Sequence, residues 1–340
     1  MNPSERMEAP ALIGLDWGTS SLRAYAVDSG GRVLASRRSE HGIMHLPEAP
    51  AGSGPNASTQ NAARFESALQ TLCGDWLQAH PQAALLACGM VGSAQGWREA
   101  AYHPTPCAID QLAQALTPVV RPGGHILHIV PGLIRQGEIP NVMRGEETQI
   151  AGVLQGLEAT GGDVSSLLIG LPGTHSKWAW VDGGRVTRFE TFMTGEVFAV
   201  LRHHTILGRT MGDGPPSDAS AFERAIRLAR PRAGAMGLLA DIFSTRTLAL
   251  TGQLRAEDQP EHLSGLLIGH EVAALLPHLS TPKNRLVLCG ETDLCQRYAT
   301  ALALHDHPVS AIQSGVVAAG LWRIAQAAAL VSAVPQITCI

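Results

Sequence analysis

The sequence predicts an α/β protein built from two related lobes. Three observations lead there. Its 340 residues suit two domains better than one, and a 45% hydrophobic share supplies two sizeable cores. Strand-like and helix-like runs alternate along the chain. One strand–turn–strand unit also occurs twice, once near the start and once at the middle, as an internal repeat.

Taken in order, Ala11–Asp16 reads as an apolar strand running into a Gly/Thr/Ser turn. Ser21–Val27 and Arg32–Arg37 read as two further strands, joined by the turn Asp28-Ser-Gly-Gly31. Residues 48–60 are loop by composition. Ala62–His80 is an amphipathic helix with Phe65, Leu69, Leu72, Trp76 and Leu77 on one face. Ala84–Cys88, Ile126–Val130 and Ser166–Leu171 are short buried strands, and Glu146–Leu157 is a helix following the loop Asn141–Gly145. Arg285–Cys289 is again strand, followed by Gly290, a helix near Leu294–Leu304, and a last helix starting within Gln313–Gly320. The first lobe is placed at residues 1–146 and the second at 147–335, with the last helix, from about residue 313, packing on the first lobe.

The repeat carries the most information. Gly18-Thr-Ser-Ser leads into a strand, an Asp/Gly turn and Arg32-Val33; Gly173-Thr-His-Ser leads into a strand, an Asp/Gly turn and Arg185-Val186. A weaker echo pairs Leu85–Gly89 with Leu286–Gly290. Small residues let a backbone approach phosphate oxygens, and each turn offers N–H and hydroxyl donors. Two such turns, facing one another across a cleft, would hold a polyphosphate from both sides. Neither a P-loop nor a dinucleotide-binding Gly-rich fingerprint is present.

Composition narrows the field further. Net charge is −4 with both signs interspersed, unlike the footprint of a nucleic-acid binder. The six cysteines form no C-x-x-C pair and several sit in apolar runs, as buried thiols in a reducing compartment would. The polar start MNPSERMEAP has no apolar signal core, and no uninterrupted apolar run spans a bilayer, so a cytoplasmic location is expected. His203-His204 and His305-Asp-His307 read as solvated turns before metal sites.

Four blocks, Leu15-Asp-Trp-Gly-Thr-Ser-Ser-Leu-Arg23, Cys88-Gly-Met-Val-Gly-Ser-Ala-Gln-Gly-Trp97, Val142-Met-Arg-Gly-Glu-Glu-Thr-Gln149 and Leu171-Pro-Gly-Thr-His-Ser-Lys-Trp178, together resemble the 2-dehydro-3-deoxygalactonokinase family of the actin-like ATPase and sugar kinase superfamily. Phe189–Glu196 and Leu263–His270 fit the same pattern, so the resemblance covers nearly the whole chain. It implies a two-lobed actin-like (duplicated ribonuclease H-like) fold with an interlobe nucleotide cleft, and ATP-dependent, Mg²⁺-dependent phosphorylation of 2-dehydro-3-deoxy-D-galactonate at its 6-hydroxyl.

The resemblance also implies roles. Gly18, Thr19 and Ser20 would bind the ATP phosphates from one lobe, and Gly173, Thr174, His175, Ser176 and Lys177 from the other. Asp16, at a strand end, would bind Mg²⁺ or simply stabilise its own turn. Glu147 is the candidate base, with Glu146 as support or metal ligand; both also suit a helix N-terminus on dipole grounds alone. Many sugar kinases of the superfamily carry an Asp just before the second Gly-Thr, as the base, whereas this chain reads Gly170-Leu-Pro-Gly173 there. Arg144 is the candidate for the acceptor's carboxylate, with Arg98 and Arg23 behind it. Gly92, Ser93, Gln95 and Trp97 would shape the acceptor pocket, with Thr191, Thr194 and Glu196 on the opposite wall, and Gly290 would meet adenosine. An exopolyphosphatase-like hydrolase or another small-sugar kinase on the same fold, and a nucleotide-dependent binding protein, remain open, as does a homodimer.

Overall fold

A computed structural model describes residues 9–53, 56–231, 236–279 and 285–332. Cys339 and most of the polar N-terminal stretch lie outside these residues. The chain forms two compact units: residues 1–165, 182–188 and 315–340 in the first, and residues 166–181 and 189–314 in the second.

In chain order the first unit runs β1 (Leu12–Trp17), β2 (Leu22–Val27), β3 (Val33–Ser39), α1 (Ala57–Ala79), β4 (Ala84–Gly89), β5 (Tyr102–Pro104), β6 (Cys107–Ala108), α2 (Ile109–Gln114), β7 (Thr117–Val120), β8 (Ile126–Ile129), β9 (Gly132–Arg135), β10 (Asn141–Met143) and α3 (Glu146–Ala159). There follow β11 (Ser166–Leu171), β12 (Ser176–Asp182), β13 (Arg185–Phe192), α4 (Thr194–His204), α5 (Ala221–Leu228), α6 (Leu238–Asp241), α7 (Ser244–Leu250), α8 (Gln259–Leu279), β14 (Arg285–Cys289), α9 (Thr292–Ala303) and β15 (Ala311–Gln313). The final described helix, α10 (Val317–Ala327), belongs to the first unit.

The main sheet of the first unit has the order β3-β2-β1-β4-β8-β7. β1 to β3 pair antiparallel, and β4 and β8 then continue in parallel from β1. β1 is buried on both faces, which is why it reads as a near-continuous apolar run rather than an alternating one. One face is covered by α1, whose Phe65, Ala68, Leu69 and Leu72 join Ile13, Leu15 and Leu85 in a single core. α1 begins earlier than its apolar stripe, because the Asn56 side chain accepts from the Thr59 N–H at 2.8 Å and caps an exposed polar first turn. On the other side, α10 lies against Gly14: a Cβ there would come within 2.9 Å of Leu321.

The same order recurs in the second unit, as β13-β12-β11-β14-β15. β14 is parallel to β11, and β15 to β14. Its core joins Leu168, Trp178 and Leu288 to Phe222 and Ile226 of α5, Ile268 and Val272 of α8, and Tyr298 and Leu302 of α9. A third strand, second strand and first strand in series, then two parallel ones, twice over: this is the duplication that the repeat predicts.

The sequence-based division at residue 146 falls inside the first unit, since α3 packs there against α10. The helices touch through glycines: a Cβ on Gly152 would lie 2.1 Å from the Val316 carbonyl oxygen, and one on Gly320 1.9 Å from that of Thr148.

Candidate active site

In the first unit the Gly-Thr turn sits at the end of β1. Gly18 N–H closes it by donating to the Ser21 carbonyl at 2.9 Å, leaving Thr19 and Ser20 exposed. A segment that no motif marks holds the turn from behind. Ile43 and Met44 N–H groups donate to the Gly18 and Thr19 carbonyls at 3.0 and 3.1 Å. Gly42 has no room for a Cβ, which would meet the Thr19 carbonyl oxygen at 2.3 Å. Trp17 is buried in the core against Phe65 and Trp97, and its indole N–H donates to the His41 carbonyl at 2.8 Å.

Three carboxyls gather near this turn. Asp16, partly exposed, lies 3.6 Å from the Arg23 guanidinium. Burial and the nearby Glu146 push its carboxyl up while Arg23 pulls it down. Glu146 is partly exposed and accepts from the Arg144 N–H at 3.1 Å. Glu147 is only 1% exposed. Its oxygens accept from the Gly145 N–H at 2.7 Å and the Thr148 hydroxyl at 3.0 Å. Burial first, and Glu146 second, push it up to about 7. Gly145, at φ 107°, lets the chain turn into α3 beside Gly89, whose Cα is 3.4 Å from the position of a Cβ there.

Arg144 stands next to this group. One Nη donates to the Ala100 carbonyl at 2.7 Å, and the guanidinium lies 4.4 Å over the Tyr102 ring. Its Nε and Nη1 are buried and have no hydrogen-bond partner among the described residues; the same holds for the Ser93 hydroxyl. Gly92 makes room for Nη1, which a Cβ would meet at 2.9 Å. Buried donors of this kind cost stability unless something accepts from them. Of the other residues singled out nearby, Gln95 and Arg98 are exposed, and Trp97 stacks on Phe65 with ring centroids 5.6 Å apart. Trp97 is thus mainly a core aromatic.

In the second unit the repeat's turn joins β11 to β12. Thr174 and His175 are exposed, and His175 Nε2 pairs with the Glu196 carboxylate. The start of α4 backs this turn: Glu196 N–H donates to the Thr174 carbonyl at 3.0 Å, and a Cβ on Gly195 would meet the Gly173 carbonyl oxygen at 2.6 Å. Ser176 and Lys177, predicted to face phosphate, are both buried. The Ser176 hydroxyl meets that of Tyr298 at 2.9 Å, and Lys177, 4% exposed, donates to the His175 carbonyl at 3.1 Å. Both lie on β12, every residue of which is buried until Asp182.

Gly290, at φ 157°, ends β14 with its N–H on the Gln313 carbonyl at 3.1 Å, close to Pro172 of the turn. Beside Gly173 opens a cavity of about 310 Å³ between α4, α8 and α9. Phe198, Leu267, Ile268 and Leu294 give it apolar walls; Ser264 and the Arg297–Glu261 pair, 2.8 Å apart, give it polar ones. Sequence reasoning did not find this cavity, whose walls are drawn from three helices far apart in the chain.

Comparison with known proteins bears on this constellation. The family model for 2-keto-3-deoxy-galactonokinase matches residues 16–324. A curated relative from Rhizobium meliloti (strain 1021), named a probable 2-dehydro-3-deoxygalactonokinase, is 36% identical over 318 residues, 92% of this chain and 96% of its own. The 2-dehydro-3-deoxygalactonokinase of Escherichia coli (strain K12) is 33% identical over 319 residues, 93% of this chain and 98% of its own. A crystal structure from Sinorhizobium meliloti, assigned to the same activity, superposes with a TM-score of 0.77 at 33% identity over 93% of this chain and 98% of that one. The chain belongs to the 2-keto-3-deoxy-galactonokinase family. It is therefore a sugar-acid kinase, and kinases of this family use ATP.

Within this family member the sequence-predicted residues fall into two groups. The first unit gathers Asp16, Glu146, Glu147, Arg144, Gly92 and Ser93, together with the Gly18–Ser20 turn. The second unit gathers Gly173, Thr174 and His175 near Gly290. Thr191, expected on the acceptor's wall, lies on β13, and Thr194 and Glu196 at the start of α4 beside the second turn. The parts missed are the Gly42–Met44 support, the cavity, and the buried carboxylate Glu271 described below.

Proposed function

We propose that the chain transfers the γ-phosphoryl group of ATP to the 6-hydroxyl of 2-dehydro-3-deoxy-D-galactonate, and that Arg144 receives the acceptor's carboxylate. The observation that carries this reading is the buried guanidinium with two unpartnered N–H-bearing atoms, set beside the unpartnered Ser93 hydroxyl. A fork of fixed donors suits a planar carboxylate and gives a neutral sugar no equivalent advantage.

Each unit contributes its own part. In the first, the partly exposed carboxyls Asp16 and Glu146 suit a divalent cation. Two carboxylates are few for an all-protein cage but fit Mg²⁺, which keeps several waters and shares phosphate oxygens. Among the described residues no group of three acidic, His or Cys ligands is assembled. Bound there, Mg²⁺ would supply charge neutralisation for phosphoryl transfer. Arg23 holds Asp16 in place, and the Thr19 and Ser20 hydroxyls are available to phosphate oxygens. The sequence suggests Glu147 as the base. Its burial and its two hydrogen bonds to the start of α3 suit it better to fixing the Arg144–Gly145 turn, leaving the acceptor proton to Asp16 or Glu146. In the second, Gly173 and Thr174 would grip phosphates and the neighbouring cavity would take adenosine, with Arg297 against the base. Among the described residues no helix is long and apolar enough to cross a membrane; a cytoplasmic enzyme acting on small, soluble substrates is the reading we adopt.

The test is steady-state kinetics of Arg144→Lys. The charge stays and the fork is lost, so KM for the sugar acid should rise about a hundredfold while KM for ATP stays within about twofold. An unchanged sugar-acid KM would remove Arg144 from the site. ADP release independent of any acceptor, or phosphate release from polyphosphate, would replace the kinase reading with a hydrolase on the same fold.

A further inference from the structure

Beneath the second turn lies a buried carboxylate that none of the roles above uses. Glu271, on α8, is 3% exposed. Its Oε1 accepts from the Trp178 indole N–H at 2.7 Å. Its Oε2 accepts from the Tyr298 hydroxyl at 2.7 Å and from the Thr194 hydroxyl. Because Tyr298 spends its only proton on Glu271, the Ser176 hydroxyl at 2.9 Å donates to Tyr298. Every donor in the network drawn this way runs toward one carboxylate. Burial, the larger influence, holds the carboxyl above its ordinary value, and the converging hydrogen bonds offset part of that.

The places from which these donors come are what matter. Ser176 and Trp178 open β12, immediately after Thr174 and His175. Thr194 opens α4, whose next residues back the same turn through Gly195 and the Glu196 N–H. Tyr298 lies on α9, and both it and Thr194 line the cavity beside Gly173. One side chain thus ties together the strand leaving the turn, the helix supporting it and two walls of the cavity.

We propose that Glu271 is a positioning residue for nucleotide binding: its carboxylate sets the turn at Gly173–His175 and the cavity wall in mutual register. It would not touch ATP. The inference rests on the reading of that turn and cavity as the nucleotide's share of the site. Glu271→Gln keeps the shape but brings a donor to a point where only donors arrive. The hydroxyls must then reverse, and the Ser176–Tyr298–Thr194 order is lost.

The experiment compares the purified wild-type enzyme with Glu271→Gln, Trp178→Phe and Thr174→Ala. It measures ATP affinity by calorimetry, both KM values and the melting temperature. Glu271→Gln should raise KM for ATP about tenfold and leave KM for the sugar acid within about twofold. Trp178→Phe, which removes a single donor, should give a smaller change of the same kind. A purely structural role would lower the melting temperature without this selectivity for ATP, and that outcome would overturn the proposal. Should Glu271→Gln not fold, Trp178→Phe alone decides between the two. Thr174→Ala separates the premises: no change in ATP affinity there would defeat the reading of the turn itself. Weakened ATP binding in Thr174→Ala, with none in the two network variants, would defeat the positioning role alone.

Discussion

The two Gly-Thr turns share a backbone and differ in almost everything their side chains do. Each follows a buried strand, each exposes a threonine, and each is backed by a segment that places a glycine against its carbonyls. The first is entered through Asp16, with Glu146 and the two unpartnered guanidinium nitrogens of Arg144 nearby. The second is entered through Leu171, which is buried, and sits over the hydrogen-bonded network around Glu271. Duplication therefore preserved a shape that presents small residues to an anion, and the copies diverged in the chemistry behind it. The first kept exposed charge, which suits a cation and a reacting hydroxyl. The second buried its polar groups and opened a cavity, which suits a nucleotide.

If that division holds, damage to the first copy should strike turnover and damage to the second should strike nucleotide affinity. The largest effect is expected at Asp16. Asp16→Asn removes the carboxylate and leaves the strand intact, so kcat should fall about a thousandfold with KM for ATP little changed. Rapid-quench single-turnover measurements would show whether the loss lies in phosphoryl transfer. Retention of more than about a tenth of the activity would mean that Asp16 only stabilises its turn.

A smaller effect, read in stability rather than rate, concerns Glu147. Its carboxyl ionises at about 7 in the folded chain, above its ordinary value. Between those values the folded chain keeps a proton that the unfolded chain has lost. The contribution of this group is thus fully present below the ordinary carboxylate value and is lost as pH rises through about 7. The swing is on the order of 3 kcal/mol. Glu147→Gln should flatten the melting temperature between about pH 5 and 8, whereas the wild type should lose several degrees. Its turnover should stay within about tenfold of wild type; a collapse would restore Glu147 as the base and place chemistry deeper in the first unit than its burial suggests.

Much of the fold was legible because the repeat and the apolar runs are local signals. β11 and β14 match their expected bounds, and the repeated unit is present as neighbouring strands β1 to β3 in one sheet and β11 to β13 in the other. Asp16, Thr19, Thr174 and Arg144 were legible as candidates because each sits in a short motif. The burial of Ser176 and Lys177 was not, since β12 is covered on both faces and offers no alternation to read. The repeat held a clue all the same. Lys177 occupies the place that Leu22 holds in the first copy, and Leu22 is fully buried. Glu271 and Tyr298 carry no motif, and only the packing of α8 and α9 brings them to β12. Gly42 was invisible for a similar reason: its partner is a backbone carbonyl more than twenty residues away, and nothing in its own neighbourhood marks it.

The two supporting glycines give the narrowest test of the comparison, because the same change can be made in both copies. Gly42→Ala would bring a Cβ within 2.3 Å of the Thr19 carbonyl oxygen and 2.4 Å of the Ser21 nitrogen. Gly195→Ala would bring one within 2.6 Å of the Gly173 carbonyl oxygen and 2.8 Å of the Thr174 Cα. All four are backbone atoms, so in each variant the turn itself must shift; overpacking of this kind typically costs about 1–3 kcal/mol of stability. Equal losses in stability should then accompany unequal losses in function. Gly42→Ala should lower kcat about tenfold, and Gly195→Ala should raise KM for ATP by a similar factor, with melting temperatures measured alongside to normalise for folding. The same kinetic pattern in both variants would mean that the two turns do one job together, and that the specialisation seen in their side chains is not carried into catalysis.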